Sequence, residues 1–315
     1  MYFILFIQYI LLNLLEPYDN SLIVYYKMIM FIKKEIIKER KILKSMINLD
    51  NLLYELKEEE EQKEGKYNVK IPKIIYQSWK THDVPDHWKI SPESIQKMMP
   101  DWQYVLFNDE ENRNLVEEYF PDFLPYYDAF PHNIMRADAA RYCFLYIYGG
   151  LYMDLDFEVL ERLDSLFVSD NEVYLVKSGN IGSYYTNSFM ASKPRCKFWL
   201  EVIEEMKKEL PWYYLGKHVV TMNQSGPIML SHVAKNTGFV IGQLPAKRIM
   251  PCSICNLKCS LEGAYLKPLE GSSWIGYDTM FYNFFLCNWK KLVFLLICIL
   301  LTLLVLWILF KLKII

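Results

Sequence analysis

Two aspartates separated by one residue are the strongest candidates for chemistry in this chain. Asp154 and Asp156 follow Gly149-Gly150 in an apolar stretch that is typical of a buried strand. Side chains alternate between the faces of a strand, so both carboxylates are expected on one face, with Cα atoms about 7 Å apart. Two unpaired carboxylates at this separation repel each other and are costly to desolvate. A divalent ion such as Mn²⁺ or Mg²⁺ removes both costs and is often shared with phosphates, so the pair predicts a seat for a metal and a diphosphate.

A second charged pair lies on the segment before these aspartates. Residues 132–148 carry apolar side chains at helical spacing, and the glycine pair after them predicts the end of the helix. Asp138 and Arg141 are three residues apart, so both project from one side of this helix. Two interpretations are open. The pair is either an exposed ion pair of little energetic value or a carboxylate and a guanidinium that bind sugar hydroxyls and phosphate beside the metal.

Strands and helices alternate in the region that must position these side chains. The patterns predict strands at 73–79, 103–107, 150–156 and 173–176, and helices at 109–120, 132–148 and 194–210. Such alternation predicts an α/β fold with a mainly parallel sheet. Ligands of such sheets bind beyond the carboxyl ends of the strands. The aspartate pair falls late in its strand, which agrees with this rule.

Charge and hydropathy define the remaining parts of the chain. The net charge of −2 excludes the strongly basic surface of a nucleic-acid-binding protein. Residues 292–310 carry no charged side chain and as a helix would span about 28 Å, close to the thickness of a bilayer core. We divide the chain into four parts: an apolar N-terminal segment that is a possible membrane anchor (1–32), a charged helix and linker (33–66), the α/β domain that carries the aspartate pair (67–286), and a transmembrane helix with flanking lysines (290–313).

One continuous motif resembles a known enzyme family. Residues 136–156, RADAARYCFLYIYGGLYMDLD, are similar to the core motif of glycosyltransferases with a DXD sugar-binding region. This group, glycosyltransferase family 32, includes yeast-type α-1,6-mannosyltransferases and inositol-phosphoceramide mannosyltransferases, with clostridial glucosylating toxins as distant relatives. Further similar segments occur in the family's order at 71–80, 100–108, 187–191, 225–227 and 271–274. Tyr76 departs from the pattern, because many members have histidine there.

The resemblance implies a fold and an activity. The fold would be a GT-A type nucleotide-sugar-binding domain. The activity would be a metal-dependent hexosyl transfer with retention of configuration, and mannose is the favoured sugar. GDP-mannose is the first donor expected and a UDP-hexose the second. The acceptor would be a hydroxyl of a lipid or a glycan. Family members of the secretory pathway imply a Golgi or ER-type membrane.

The resemblance also implies roles for individual residues. Asp156 would be the more direct metal ligand, and Asp154 would contact both the ion and sugar or ribose hydroxyls. The indole N–H of Trp274 would donate to the leaving-group oxygens. The other expected donor-binding residues are Trp79, Asp138, Arg141, Asn187 and Ser273. For the tryptophans the competing interpretation is ordinary core packing, and for the asparagine it is the stabilisation of a turn.

Two alternative functions and one structural question stay open at this point. A membrane-tethered sugar-binding module without turnover would have the same motif. A phosphohydrolase with an Asp-x-Asp nucleophile is less favoured, because such enzymes carry Thr or Val where this chain has Glu158. Cys252, Cys255 and Cys259 are compatible with a zinc site that takes a distant fourth ligand, with disulfides, or with free thiols.

Overall fold

The computed structural model describes residues 71–177, 184–253, 255–256, 259–271 and 274–311. Three sequence-based predictions fall outside these residues: the apolar segment 1–32, the charged helix and linker 33–66, and the donor-binding role of Ser273. The fold and the site are built from the described ranges alone.

A six-stranded sheet forms the centre of the domain. In the described part of the chain the strands are β1 (Ile74–Ser78), β2 (Gln103–Phe107), β3 (Gly150–Met153), β4 (Phe157–Val159), β5 (Val173–Lys177), β6 (Tyr185–Ser192), β7 (Ile241–Leu244) and β8 (Leu266–Pro268). The order in the large sheet is β2-β1-β3-β6-β5-β7, while β4 and β8 form a separate antiparallel pair. Within the large sheet β6 alone is antiparallel to its neighbours. The prediction of an α/β fold with a mainly parallel sheet is confirmed.

Helices cover the sheet. Over the described residues they are α1 (Ile90–Met98), α2 (Asp109–Tyr119), α3 (Leu124–Ala129), α4 (Asn133–Tyr148), α5 (Phe198–Met206), α6 (Lys217–Gln224), α7 (Pro227–Asn236), α8 (Ala246–Ile249) and α9 (Tyr277–Lys311). The start of α2 is fixed by a capping box, in which the Asn108 side chain accepts from the Glu111 backbone N–H and the Glu111 carboxylate accepts from the Asn108 N–H. This local signal explains why the helix begins where its acidic first turn predicts.

Two apolar layers lie on opposite faces of the large sheet. Consecutive strand residues alternate between them, because successive side chains of a strand point to opposite faces. Ile75 and Leu151 pack into the layer that contains α1, whereas Tyr76 and Tyr152 pack into the layer that contains α4. Tyr76, the position that departs from the family pattern, is therefore a core residue with 2% exposure.

Helix α4 is buried far more completely than an amphipathic surface helix. Ten of its 16 residues are buried, including Asp138 and Arg141. Helices α2, α5 and α6 pack against it, so it has little solvent-facing surface. The interpretation of Asp138 and Arg141 as an exposed ion pair is therefore wrong, because the helix that carries them is central to the domain.

The sequence patterns misplaced the end of β3 and both ends of α5, which finishes at Met206 and not at 210. Strand β3 ends at Met153, so Asp154 and Asp156 lie in the turn between β3 and β4 and not late in a strand. Helix α5 begins at Phe198, so Pro194 precedes it and is not in its first turn. The Arg195 backbone N–H instead donates to the Tyr146 carbonyl at 2.6 Å, which holds this turn against the end of α4.

Gly149 makes the sharp turn from α4 into β3. Its φ angle is +63°, and a Cβ at this position would lie 2.5 Å from the backbone nitrogen of Pro194. Both the left-handed conformation and the lack of space therefore require glycine directly before the strand that leads to the aspartate pair. The positions of Asp154 and Asp156 therefore depend on this turn.

Replacement of Gly149 by alanine is expected to lower the free energy of unfolding by more than about 2 kcal/mol, because a strained φ and a backbone overlap add. Equilibrium urea unfolding measures the loss. Gly263→Ala is the matched control for strain alone, since its φ is +64° and no atom lies within 4 Å of the added Cβ. Equal losses in the two variants would show that crowding against Pro194 has no effect.

The C-terminal helix α9 is long and apolar. It has 35 residues, and its segment Tyr277–Leu304 is apolar enough to cross a membrane, with none of its apolar window buried in the protein. If residues 292–310 occupy the hydrocarbon core, residues 277–291 extend about 20 Å beyond it at the helical rise. The first turns of α9 are thus available to contact the domain.

The clustered cysteines form disulfides. Cys252 pairs with Cys259, and Cys255 pairs with Cys287 on α9. This pairing leaves no thiolate of the cluster for zinc, and it resolves the alternatives left open by the sequence in favour of disulfides. The second bond also fastens the third turn of α9 to the domain.

Candidate active site

The predicted site residues meet in one cavity at the carboxyl ends of β1, β2 and β3. The cavity has a volume of about 490 Å³. Seven of the eight residues expected to bind donor or metal line it: Trp79, Asp138, Arg141, Asp154, Asp156, Asn187 and Trp274. Ser273, the eighth, lies outside the described residues. The rule that ligands bind beyond the carboxyl ends of parallel strands therefore located the cavity correctly.

Arg141 is the electrostatic centre of this cavity. Its Nη1 lies 3.1 Å from Asp154 Oδ1 and donates to the Asn187 carbonyl at 2.8 Å, and its Nη2 lies 3.3 Å from Asp138 Oδ1. The guanidinium also stacks over the ring of Tyr152 at 4.5 Å. Burial lowers the pKa of Arg141, but the neighbouring Asp154, with Tyr152 and Asp138, outweighs burial and raises it. A permanent buried cation therefore joins the helix α4 to the aspartate turn.

Asp138 is a buried carboxylate with a complete set of donors. Its Oδ1 accepts from Asn187 Nδ2 at 2.9 Å, and its Oδ2 accepts from Ser225 Oγ at 2.8 Å. Burial raises the pKa of Asp138 to about 6, although Arg141 and these hydrogen bonds oppose the rise. A carboxylate held so firmly is suited to accept hydrogen bonds from sugar hydroxyls without moving.

Asp154 is held in place from both sides. Its Oδ1 accepts from the Tyr152 hydroxyl at 2.7 Å in addition to its contact with Arg141. Its backbone N–H donates to the Ser188 carbonyl at 2.9 Å, and its carbonyl accepts from Gln77 Nε2 at 3.2 Å. Burial raises the pKa of Asp154, whereas Arg141 and the Tyr152 hydroxyl lower it. One carboxylate oxygen is thus fixed by the protein.

Asp156 differs from Asp154 because it has no cationic partner. Among the described residues no Lys, Arg or His lies within ion-pair distance of its carboxylate. Burial and the neighbouring Asp154 raise the pKa of Asp156 to about 7. Its backbone carbonyl accepts from Leu269 N–H at 2.7 Å, which fixes the turn. A buried carboxylate without a counter-charge is stabilised strongly by any cation that reaches it.

These two aspartates fit a divalent ion that is shared with a substrate. In the described part of the chain no cluster of three or more His, Cys, Asp or Glu side chains is placed to hold an ion. Mg²⁺ and Mn²⁺ commonly bind one or two carboxylates and take their remaining ligands from water and phosphate oxygens. The donor set therefore fits an ion that arrives with a diphosphate better than a permanently held structural ion.

The remaining predicted donor residues lie on the cavity wall. Asn187 belongs to β6 and not to a loop, and its amide N–H₂ donates to Asp138 and, at 3.2 Å, to the Tyr142 hydroxyl. Trp79 directly follows β1 and packs edge-on against Trp88 with ring centroids 5.1 Å apart. Trp274 stacks on the imidazole of His218 with centroids 5.5 Å apart and planes inclined by 11°.

Sequence reasoning did not identify four residues that support the site. Tyr152 could have been found, because it lies two residues before Asp154 and so shares its face of the strand. Ser225 belongs to a segment that resembles the family, but its bond to Asp138 spans 87 positions. Gln77 and His218 carry no local signal in the sequence. Their contacts are made only when distant elements pack together.

The comparisons with known proteins agree with this geometry. The family model described as a glycosyltransferase sugar-binding region containing a DXD motif matches residues 85–173. Residues 85–173 are thus similar to the DXD glycosyltransferase family. The matched region includes the α4 helix and both Asp154 and Asp156.

Mannosyltransferases are among the curated proteins to which this chain is similar. Inositol phosphoceramide mannosyltransferase 2 of Schizosaccharomyces pombe is 36% identical over 215 residues, which are 66% of this chain and 59% of the relative. Mannosyl phosphorylinositol ceramide synthase SUR1 of Saccharomyces cerevisiae is 35% identical over 165 residues, 52% of this chain and 42% of the relative. The chain thus spans about half the length of these curated relatives. A solved structure, PaToxG Glycosyltransferase, aligns with a TM-score of 0.41 and 16% identity over 52% of this chain and 69% of that chain.

Proposed function

We propose that this chain is a membrane-anchored, metal-dependent glycosyltransferase. It moves a hexose from a nucleotide-diphosphate sugar to a hydroxyl group of a lipid or a glycan. The observation that carries the proposal is the contrast between the two aspartates. Asp154 is held by Arg141 and Tyr152, whereas Asp156 faces the same cavity with a raised pKa and no cationic partner among the described residues. This arrangement suits an ion that enters with an anionic substrate.

Different residues of the cavity bind different parts of the donor. Asp154 and Asp156 would hold Mn²⁺ or Mg²⁺ against the diphosphate. The ion supplies Lewis-acid stabilisation of the leaving diphosphate when it is bound. Arg141 orients Asp154 and Asp138 towards the donor sugar, and Asp138 accepts from its hydroxyls. Trp79, at the end of β1, offers a flat apolar surface to the nucleotide base. Trp274 presents its indole to the leaving group.

We infer that transfer retains the anomeric configuration, as the family resemblance implies. The bond from the anomeric carbon to the diphosphate oxygen breaks on the same face on which the bond to the acceptor oxygen forms. The departing phosphate oxygen takes the proton of the acceptor hydroxyl, so no protein nucleophile is required. The cavity then acts by electrostatic stabilisation of the leaving group and of the cationic sugar. Ion pairs to the buried Arg141 keep this charge distribution fixed in advance.

Donor and acceptor follow from the relatives and from α9. The similar proteins are named as mannosyltransferases, so GDP-mannose is the first donor and a UDP-hexose the second. Because α9 brings a bilayer close to the domain, a lipid acceptor such as an inositol phosphoceramide is favoured over a glycan. A Golgi or ER-type membrane is the compartment that fits this acceptor and the disulfides.

Donor binding and turnover are tested together on the purified full chain. We expect GDP-mannose with Mn²⁺ to raise Tm by about 5–10 °C at a hundredfold excess over Kd, since this occupancy stabilises the fold by about 2.7 kcal/mol. Release of GDP should accompany binding and should stop when EDTA removes the ion. UDP-glucose and UDP-galactose are the matched alternatives. Affinity without any release of nucleotide would favour the silent sugar-binding module. Absence of binding to all three donors would contradict the proposal.

A further inference from the structure

The first turns of α9 do more than connect the domain to the membrane segment. Asp278 Oδ2 accepts from the backbone N–H of His218 at 2.6 Å. His218 lies in the first turn of α6, whose N-cap residue is Gly216 and therefore has no side chain to cap the helix. Asp278 supplies the missing cap from another helix, and a carboxylate at this end also interacts well with the helix dipole.

The His218 imidazole packs against two aromatic rings. Trp274 stacks on it at 5.5 Å with an interplanar angle of 11°, and Tyr282 of α9 packs on it at 4.7 Å and 33°. Its Nδ1 lies 3.2 Å from the hydroxyl of Thr279, also on α9. His218 is 7% exposed and Thr279 is 2% exposed. Two residues of α9, Thr279 and Tyr282, therefore contact the imidazole, while Asp278 fixes the backbone of the same residue.

Trp274 is the member of this stack that reaches the cavity. It lines the cavity together with Lys217 of α6, whereas His218 lies behind it and is not part of the lining. The segment that carries Trp274 begins beside the turn that contains Asp154 and Asp156, where Leu269 N–H donates to the Asp156 carbonyl. It is held again where Trp88 Nε1 donates to the Glu270 carbonyl at 3.1 Å. Its far end has the stack with His218 as its side-chain support.

We propose that His218 is a positioning residue that transmits the placement of α9 to Trp274, so that Asp278, Thr279 and Tyr282 of the anchor helix support the active site. The proposal rests on the proposed function for its catalytic consequence. The planar imidazole sets the plane of the indole. The contacts with Thr279 and Tyr282 set the plane of the imidazole, and Asp278 holds the backbone of His218. Burial lowers the pKa of His218 against the effect of Asp278, which is consistent with a neutral ring that acts by packing.

A double-mutant cycle on the full-length protein tests this coupling. Nucleotide release from the donor with Mn²⁺ is measured for His218→Ala, Trp274→Ala and the double variant. We expect each single change to lower kcat/KM by about tenfold or more, and the double variant to fall within about twofold of Trp274→Ala. Independent losses that multiply in the double variant would overturn the proposal.

Two further variants separate positioning from general destabilisation. His218→Phe keeps a flat ring and should stay within about threefold of the unmodified protein, whereas Tyr282→Ala should lose about threefold or more, because it removes one of the two rings that pack against the imidazole. Tyr277→Ala is the matched control on the same helix, since this side chain is 92% exposed, and it should have no effect. A loss of activity in His218→Phe equal to that in His218→Ala would show that stacking is not the cause.

Hydrogen exchange tests the same coupling without turnover. In ligand-free protein, His218→Ala and Tyr282→Ala should accelerate amide exchange in the peptide that contains Trp274 by about tenfold, and Tyr277→Ala should not. Unchanged exchange in this peptide overturns the proposal. If exchange accelerates but the unmodified protein releases no nucleotide from any donor, the positioning role stands and the proposed function fails.

Discussion

Asp156→Asn is expected to abolish metal-dependent release of nucleotide from the donor and, at the same time, to stabilise the metal-free protein above pH 7. The loss of activity should be about a thousandfold or more, because the amide is a poor ligand for a hard cation and one of two protein ligands disappears. The gain in stability follows from the electrostatics of the empty cavity. The two effects have opposite signs, so misfolding cannot mimic them.

The sign of the stability effect follows from the pKa of Asp156. Folding raises this pKa from its ordinary value of 3.8 to about 7, chiefly through burial and then through Asp154. The folded protein therefore disfavours the charged form, and stability falls as pH rises from about 4 to about 7. Asparagine cannot ionise, so the Asp156→Asn variant does not lose this stability as the pH rises. The difference in Tm between variant and unmodified protein, both with EDTA, should be positive at pH 8 and should vanish near pH 4.

Asp164→Asn is the control with the opposite expectation. Burial raises the pKa of Asp164, but hydrogen bonds from Trp102 and Arg162 outweigh burial and lower it. Its charged form is therefore stabilised by folding, and the asparagine variant should lose stability at pH 8 while it keeps full nucleotide release. Undiminished release by Asp156→Asn would contradict the assignment of the metal site.

Arg141→Met should be among the most destabilising single changes in the domain. Methionine fills much of the same space but leaves Asp138 and Asp154 without the cation that lies 3.3 Å and 3.1 Å from them. Removal of one partner of a buried ion pair typically costs about 3–5 kcal/mol, because the other charge remains buried and uncompensated. We expect Tm to fall by about 6–15 °C and donor binding to be lost.

A surface arginine provides the comparison for this prediction. Arg162 also bridges two carboxylates, Asp101 at 2.7 Å and Asp164 at 2.8 Å, but its side chain is 46% exposed. Arg162→Met should therefore cost no more than about 1 kcal/mol, because water solvates the freed carboxylates. Thermal unfolding of both variants in one buffer measures the difference. Equal losses would show that burial of the Arg141 cluster does not set its energy.

The local parts of the fold could be predicted from the sequence because their causes are local. The strand Gln103–Phe107 and the start of α2 were predicted at the observed residues. The capping box of α2 involves residues three positions apart, and strand alternation involves neighbours. The end of α4 at Gly149 was predicted for the same reason, since glycine reaches positive φ at little cost.

Sequence patterns gave wrong predictions where contacts between residues distant in the sequence determine burial and the ends of elements. The periodicity of residues 132–148 indicates a helix, but it does not reveal that Asn187 of β6 and Ser225, directly after α6, reach the side that carries Asp138 and Arg141. A turn that packs on the end of α4 delays the start of α5. The end of β3 at Met153 depends on its pairing with β1 and β6, so the aspartates were assigned to the strand and not to the turn after it.

The sequence by itself determined the alternation of strands and helices, the carboxylate pair, and the apolar C-terminal helix, because each is written in residues a few positions apart. Tertiary structure decided which charges are buried and which are paired. Ser225 reaches Asp138 across 87 positions, and His218 reaches Thr279 across 61. Such contacts form only when whole elements pack together. Burial then strengthens the electrostatic interactions between these groups, because the interior is less polar than water. The charge and pairing of the site residues are therefore determined by the tertiary fold and not by the local motif.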